Sequence, residues 1–244
     1  MPRFFADLSQ ICENHITLFG EDAYHIARSL RCAVGDTLTV TDSEGFDYTC
    51  RLSHIRDDAC ECEIIKRERN EKEPDMDITL FMAYPKSDKL EFVIQKAVEL
   101  GAICIVPFES SRCIKRPAKE KSERLRERHA KIATEAAKQC GRGRLPKVHT
   151  VCDFDSVCGK ISSFDLSLFC YEDEQGLNIK EALQKFPRPA SVALIVGCEG
   201  GFSAEEAEKI KRAGGVSVSL GKRILRCETA PCYALSALSF FFEL

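Results

Sequence analysis

The stretches that decide the fold are Val196–Gly201, which reads VGCEGG, and Leu220–Ala230, which reads LGKRILRCETA. Each follows a short apolar run typical of a buried strand, so a strand, a glycine turn and a polar cluster occur twice. Open parallel sheets bind ligands at the carboxyl ends of their strands, and glycine lets backbone atoms approach a ligand closely. The repeat therefore predicts a ligand site made of two loops. Simple turns and solvent-facing charges are the alternative.

Strands and helices alternate from residue 78 onward. Ile78–Tyr84 is an apolar run of strand length, Lys89–Leu100 has apolar residues at helical spacing, and Gly101 follows at a typical helix end. The other predicted elements are strands at Ala102–Phe108, Leu166–Tyr171, Val192–Val196 and Val216–Leu220, and helices over Ser122–Cys140, from the capping box Ser203–Glu206 to near Gly214, and over Thr229–Leu244. This alternation predicts an α/β domain with a parallel sheet covered on both faces.

The first seventy residues have a different pattern. Short alternating runs separated by turn signals predict a small β-barrel with one helix near Asp22–Leu30. The segment Lys66–Asp77 has almost no apolar residues and contains Pro74, so we expect a linker there. We therefore predict two domains, over residues 1–70 and 74–244.

Composition restricts the class of protein. The 244 residues include fourteen scattered cysteines, and Met1 leads directly into Pro2-Arg3-Phe4, which is unlike a signal peptide. A reducing cytoplasm is therefore expected, with the cysteines as small buried residues. No cysteine spacing is typical of a zinc site, and no apolar run is long enough for a membrane span, so we expect neither metal nor membrane.

Charge is unevenly distributed, although the net charge is only −3. The stretch Arg112–Lys147, which we call the basic segment, holds thirteen Lys/Arg and four Glu, whereas residues 1–70 hold eight Lys/Arg and thirteen Asp/Glu. Such a segment can attract RNA phosphates. It is equally compatible with a solvated helix face.

The two glycine stretches also carry a family resemblance. GCEGGFS at residues 197–203, followed by SLGKRILRCETA at residues 219–230, resembles the ribosomal RNA small-subunit methyltransferase E family. Three further segments are similar to the family in the same order, namely His25–Asp36, Lys86–Gly101 and Lys131–Gly141. The resemblance spans nearly the whole chain. One departure is Cys198, where the family usually has proline.

This resemblance implies a fold and an activity. The fold is a SPOUT-type, trefoil-knotted parallel-sheet methyltransferase domain, preceded by a small PUA-like β-barrel that binds RNA. Its apolar last helix is threaded through the knot and packs in a homodimer. The activity is S-adenosylmethionine-dependent methylation of N3 of a uridine in 16S ribosomal RNA, as free RNA or in the small ribosomal subunit.

The cofactor residues are expected in the two loops. GxxxxGK[ST] is absent, which favours a cofactor bound by backbone atoms rather than through phosphates. One predicted wall consists of Gly197, Gly200 and Gly201, and a second consists of Leu220, Gly221, Ile224 and Leu225. Ala230 is expected at the base. Tyr171 and Glu172 are weaker candidates for a third loop. For Ile224 and Leu225, ordinary core packing is the alternative.

Catalysis requires loss of the N3 proton and stabilisation of charge on the uracil oxygens. Glu199 or Glu228 is the candidate proton acceptor and Arg226 the candidate for charge stabilisation. Arg226 and Glu228 could instead pair with each other to fix the loop, which does not exclude a catalytic part. A flipped or single-stranded base needs further RNA contacts. The candidates are basic residues of both predicted domains, Arg3, His25, Arg28, Arg31, Lys86, Lys89, Arg142 and Arg144. A structural His25 and water-facing lysines are the alternatives.

Two other functions fit the same residues. One is another SPOUT enzyme, acting on a different base or on a transfer RNA ribose. The other is a catalytically silent RNA-binding protein that assists ribosome assembly. The intact LGKRILRCETA segment weighs against silence, because a decayed site has no need of its glycines and charges.

Overall fold

The computed structural model describes residues 1–114, 116–117, 119–186 and 188–244. Lys115 of the basic segment lies outside the described residues. Backbone contacts divide the chain into two units, one of residues 1–73 with 137–145 and one of residues 74–136 with 146–244. The segment 137–145 thus joins the first unit through its contacts. The domain limits 1–70 and 74–244 stay a prediction.

The first unit is a five-stranded sheet in the order β1-β3-β4-β5-β2. Its elements are β1 Arg3–Phe5, β2 His15–Phe19, α1 Glu21–Tyr24 continued by a π-helical turn at His25–Ser29, β3 Thr37–Thr41, β4 Phe46–Ile55 and β5 Ala59–Arg69. Only β1 and β3 pair in parallel. Alternate residues of the strands, such as Leu38, Val40 and Leu52, are buried with Phe4 and Ile26 in a core of their own.

The linker predicted at Lys66–Asp77 is wrong in its first four residues and in its last, Asp77, which begins the next strand. Lys66–Arg69 continue β5 and pair with β4, Arg67 opposite Tyr48 and Arg69 opposite Phe46. The Arg67 guanidinium lies 3.8 Å from the centre of the Phe46 ring, a cation–π contact. Cross-strand contacts of this kind stabilise an exposed charged strand that hydrophobic patterning does not reveal.

The second unit contains the remaining strands and helices. They are β6 Asp77–Ala83, α2 Lys89–Glu99, β7 Ala102–Glu109, α3 Ser122–Cys140 (its last four residues belong to the first unit), β8 Lys147–Val148, β9 Cys152–Asp153, α4 Phe154–Ile161, β10 Leu166–Cys170, α5 Ile179–Gln184, β11 Ser191–Val196, α6 Ala204–Arg212, β12 Val216–Val218 and α7 Thr229–Phe242. The parallel α/β architecture is confirmed, and the threading of α7 through a knot stays a prediction.

The strand order is β12-β10-β11-β6-β7-β8, with β9 also pairing with β7. All pairings are parallel, so the strands end at one edge of the sheet. Cys170 at the end of β10 pairs with both Val196 of β11 and Val218 of β12. The segments that follow these three strands therefore begin side by side.

Local signals explain several helix boundaries. Gly101 follows α2 with φ +96°, a conformation that glycine adopts without a steric cost. Ser203 caps α6 by accepting a hydrogen bond from the Glu206 N–H, and the Glu206 side chain accepts one from the Ser203 N–H. Both features agree with the predicted helix end and capping box.

Helix α7 is buried on one side only within this chain. Ala234, Leu235 and Leu238 are fully buried, whereas Phe240 and Phe241 are exposed. Across the residues that the structure describes, no helix combines the length and apolarity needed to cross a membrane.

Candidate active site

A cavity of about 630 Å³ opens where β10, β11 and β12 end. Three segments supply most of its lining, namely residues 170–172 after β10, 196–201 after β11 and 219–227 after β12. Lys89 from α2 and Ala230 from α7 complete it. The cavity thus lies at the carboxyl ends of neighbouring parallel strands, where open α/β sheets bind ligands.

The structure brings all the predicted cofactor residues together. They line this cavity: Tyr171, Glu172, Gly197, Gly200, Gly201, Leu220, Gly221, Ile224, Leu225 and Ala230. Glu199 and Arg226 line it as well, whereas Glu228 is not among the described lining residues. Ile224 is 88% exposed, so the alternative that it packs in the core is wrong. Contact of these residues with a cofactor stays a prediction.

Residues 197–201, which we call the glycine turn, need glycine for steric reasons. The Gly201 N–H donates to the Cys198 carbonyl at 2.9 Å, and Gly201 has φ +62°. A Cβ on Gly201 would lie 2.0 Å from Glu172 Oε1, and one on Gly197 would lie 3.0 Å from Gly201 Cα. The turn is therefore packed against itself and against the loop after β10.

Arg112 is a functional candidate that the sequence analysis missed. Its Nη1 donates to the Gly200 carbonyl at 2.6 Å and lies 3.9 Å from Glu172 Oε1. Arg112 follows β7, which ends at the same sheet edge as β11. Its place just after a predicted strand was the one sequence feature that could have indicated this role. The contact with Gly200 itself depends on how the glycine turn folds.

The side chain of Cys198, the residue that departs from the family resemblance, lies inside the protein. It is buried, and its Sγ lies 3.8 Å from Ser110 Oγ, which also lies 3.3 Å from Cys113 Sγ. A hydrogen bond from Cys113 lowers the pKa of the Cys198 thiol and outweighs the effect of burial. The thiol thus connects the glycine turn to the segment after β7.

Lys89 joins two acidic residues beside the cavity. Its Nζ lies 3.1 Å from Glu199 Oε1 and 3.1 Å from Glu228 Oε2. Glu199 also accepts hydrogen bonds from the Lys86 N–H at 3.1 and 3.3 Å. Contact of Lys89 with RNA stays a prediction, and its ammonium is engaged by both carboxylates.

These contacts set the charge states of the three groups. Hydrogen bonds to Glu199 and Glu228 raise the pKa of Lys89 to about 12. Burial acts to raise the pKa of Glu199, but hydrogen bonds from its own N–H, Lys89 and Lys86 outweigh it, and the pKa is lowered. The pKa of Glu228 is lowered in the same way, with Cys227 and Lys89 as side-chain partners. Both carboxylates are therefore weaker bases than ordinary glutamates.

Arg226 stands apart from this cluster. Its side chain is exposed at the cavity and, among the described residues, makes no ion pair or side-chain hydrogen bond. The alternative that Arg226 pairs with Glu228 is wrong, because Glu228 pairs with Lys89. The Arg226 carbonyl accepts from the Thr229 and Ala230 N–H groups at 2.8 and 2.9 Å, which links it to the start of α7.

Two of the residues predicted to contact RNA are engaged by acidic side chains of the first unit. The Arg142 side chain is only 4% exposed and makes a double hydrogen bond with Glu73, at 2.8 and 2.7 Å. Arg3 donates to both carboxylate oxygens of Asp47, at 2.6 and 2.8 Å, and is mostly buried. We correct the prediction for Arg142, because its guanidinium is buried against Glu73. Contact of Arg3 with RNA stays a prediction.

The other predicted RNA contacts differ in exposure. Arg31 and Lys86 are exposed, and Arg28 is exposed in an ion pair with Asp57. His25 is exposed, and its ring packs edge-on at 6.2 Å from Phe4. Arg144 is half-buried, and its N–H donates to Glu73. Their contact with RNA stays a prediction.

The basic segment is partly neutralised by ion pairs. Arg126 pairs with Glu123, and Arg128 pairs with Glu91 of α2. In the first unit, Lys138 pairs with Asp22 at 2.9 Å. The net positive charge of the basic segment is therefore smaller than its composition indicates.

Within the described ranges, no group of three or more His, Cys, Asp or Glu side chains is arranged to hold a metal ion.

Comparison with known proteins identifies the family. The family model of an RNA methyltransferase domain matches residues 71–239, and that of an RNA methyltransferase PUA domain matches residues 19–65. Ribosomal RNA small subunit methyltransferase E of Bacillus subtilis is 35% identical over 251 residues, which cover 100% of this chain and 98% of the relative. The chain belongs to the ribosomal RNA small subunit methyltransferase E family.

Two similar solved structures have the same fold. The enzyme of this name from Neisseria gonorrhoeae, bound to S-adenosyl methionine, has a TM-score of 0.88 and 29% identity, covering 99% of this chain and 98% of that chain. A putative methyltransferase from Legionella pneumophila, in complex with the same cofactor, has a TM-score of 0.86 and 29% identity, covering 98% and 96%. The predicted PUA-like and SPOUT-type domains are thereby confirmed.

Proposed function

We propose that this protein transfers a methyl group from S-adenosylmethionine to N3 of a uridine in the 16S RNA of the small ribosomal subunit. The observation that carries the proposal is the glycine-lined cavity at the carboxyl ends of β10, β11 and β12, in a member of this family. Two relatives of the same fold were solved with this cofactor.

The cavity suits S-adenosylmethionine in size and lining. Its volume of about 630 Å³ is within the range of small-molecule sites. Leu220, Leu225 and Ala230 offer apolar surface to an adenine ring, while the backbone of the glycine turn offers hydrogen bonds. A Cβ on Gly197 would lie 3.0 Å from the backbone of Gly201, which is consistent with a wall shaped for backbone contact.

When bound, the cofactor supplies an activated methyl group on its sulfonium. The chain must position the uracil in line with that methyl group and stabilise the negative charge that develops as N3 loses its proton. The free guanidinium of Arg226 suits the second task. Glu199 and Glu228 remain candidates to accept the proton, but their ion pairs with Lys89 favour a structural role.

RNA binding is assigned to surfaces outside the cavity. We place a PUA-like domain at residues 1–70 and the methyltransferase domain at residues 74–244. In the first, His25, Arg28 and Arg31 are exposed on one short helical segment and its end, which supports contact with RNA phosphates. In the second, Lys86 is exposed. We also propose a cytoplasmic location for this protein. All fourteen cysteines are free thiols, which is consistent with a reducing compartment.

The proposal predicts one product. Purified protein, incubated with S-adenosylmethionine and unmethylated small-subunit RNA, is expected to form 3-methyluridine, detected by mass spectrometry of the nucleosides. Free RNA and isolated small subunits serve as parallel substrates, and large-subunit RNA is the control. A ribose methyl group or another methylated base would favour a different SPOUT activity. RNA binding without any methylated nucleoside would favour an assembly factor.

A homodimer is part of the proposal. Tyr233, Phe240 and Phe241 of α7 and Phe92 of the contacting α2 are exposed, and apolar patches of this kind mark interfaces. Sedimentation equilibrium at micromolar protein is expected to give twice the 27.3 kDa chain mass. Phe240→Asp should give the monomer, because an interface cannot bury an unpaired charge cheaply. Phe19→Asp, at an exposed phenylalanine of the first unit, is the control. A monomeric unmodified protein would refute the dimer.

A further inference from the structure

Lys89 is the one basic side chain in the described cavity lining that makes ion pairs with two different segments. Glu199 belongs to the glycine turn after β11, and Glu228 immediately precedes α7. Lys89 itself is the first residue of α2. A single ammonium therefore connects three separate parts of the second unit at the edge of the cavity.

The surroundings of Lys89 favour a fixed charge. Its side chain is 31% exposed, and those of Glu199 and Glu228 are 27% and 19% exposed, so water screens the contacts only partly. Cys227 lies 3.8 Å from Nζ and donates to Glu228 Oε2 at 3.3 Å. Burial raises the pKa of this thiol to about 12, so it stays neutral and the lysine provides the positive charge.

Without Lys89 the two carboxylates would repel each other. Each lies 3.1 Å from the same nitrogen, and like charges this close destabilise the ionised pair. Separation of the glycine turn from the start of α7 would relieve this repulsion. These segments carry Gly197–Gly201 and Ala230, which line the cavity from different sides.

We propose that Lys89 is a positioning residue for cofactor binding, which holds the glycine turn and the start of α7 at the separation that the cofactor requires. The proposal rests on the proposed location of S-adenosylmethionine in this cavity. Lys89 acts through Glu199 and Glu228 and not by contact with the cofactor.

The test measures the dissociation constant for S-adenosylmethionine by calorimetry. Lys89→Met is expected to weaken binding about 10- to 100-fold, the range for losing hydrogen bonds to charged groups. Lys89→Arg keeps the positive charge and donors for both carboxylates, so its dissociation constant should lie within about threefold of that of the unmodified protein. Lys96→Met is the matched control, because Lys96 lies on the same helix and pairs with Glu99 of that helix.

A second variant separates positioning from direct contact. Combining Lys89→Met with Glu228→Gln removes the repulsion, so binding should recover most of the loss and the protein should keep its thermal stability. 5′-Methylthioadenosine, which lacks the amino-acid group, is the second probe. Positioning predicts that Lys89→Met weakens both ligands by the same factor.

Three results would overturn the positioning role. They are normal binding by Lys89→Met, no recovery in the double variant, and a loss confined to S-adenosylmethionine, which would indicate direct contact with its amino-acid group. Failure of the unmodified protein to bind S-adenosylmethionine would overturn the proposed function as well, so the two failures are distinguishable.

Discussion

The two loops that line the cavity differ in how many contacts hold them in place. The glycine turn is held from outside by the Lys86 N–H and the Lys89 ammonium at Glu199, and by Arg112 at Gly200. Residues 219–226, which we call the cavity loop, are held at their ends. The Ser219 N–H donates to the Leu177 carbonyl, and the Arg226 carbonyl accepts from α7. Between Lys222 and Leu225, within the described chain, no hydrogen bond fixes the loop.

This difference indicates a division of labour between the loops. A backbone that is already in place binds a ligand without the entropic cost of ordering it, so the glycine turn suits cofactor binding. The cavity loop presents Lys222, Arg223 and Arg226 to solvent, and such side chains are available to an RNA substrate. Mutations of these charged side chains should therefore affect a different step from mutations in the glycine turn.

The largest expected effect is on catalysis and comes from the cavity loop. Arg226→Ala should reduce the single-turnover methylation rate at saturating RNA roughly 10- to 1,000-fold, as for loss of one donor to developing charge. The affinity for S-adenosylmethionine should stay unchanged, because the guanidinium is assigned to the base. Arg226→Lys should restore little, since a planar fork and a point charge are not equivalent.

Arg212→Ala is the control for this prediction, because Arg212 is an exposed arginine in the last turn of α6 and does not line the cavity. An Arg226→Ala variant that loses cofactor affinity and rate in equal proportion would place Arg226 in the cofactor site. The distinction between the two loops would then fail.

The fold was largely predictable because its signals are local. Apolar runs mark β6, β10 and β11, and the capping box at Ser203 marks the start of α6. Short elements such as α4 and α5 were missed, since six to eight residues carry little periodicity. The charged end of β5 was missed because its stabilisation comes from residues on β4.

The composition of the cavity was also predictable, whereas its electrostatics were not. Strand order brings the segments after β10, β11 and β12 together, so Tyr171 and Glu172 could be assigned beside the glycine turn. The contact partners of Lys89 and Arg142 lie 69 to 139 residues away in the sequence, so they depend on the folded geometry of the side chains. Charge patterns do not distinguish a buried arginine paired with Glu73 from one that faces RNA.

A smaller effect, on cofactor affinity, is expected from the glycines of the two loops. Gly201 and Gly221 both have positive φ, +62° and +110°. A Cβ on Gly201 would lie 2.0 Å from Glu172 Oε1, whereas one on Gly221 would have no atom within 4 Å. Gly201→Ala should weaken S-adenosylmethionine binding about tenfold or more, because a side chain at this positive φ strains the turn and must displace the Glu172 carboxylate, whose residue lines the cavity. Gly221→Ala should cost less than about threefold, since an exposed loop with few contacts can readjust.

Calorimetric titration of these two variants with S-adenosylmethionine tests the central claim most directly, that the glycine turn is a preformed cradle for the cofactor. Thermal unfolding of both variants shows that they are folded at the temperature of the titration. The account predicts a large loss of affinity for Gly201→Ala and a small one for Gly221→Ala. Equal losses in the two variants, or normal binding by Gly201→Ala, would contradict it.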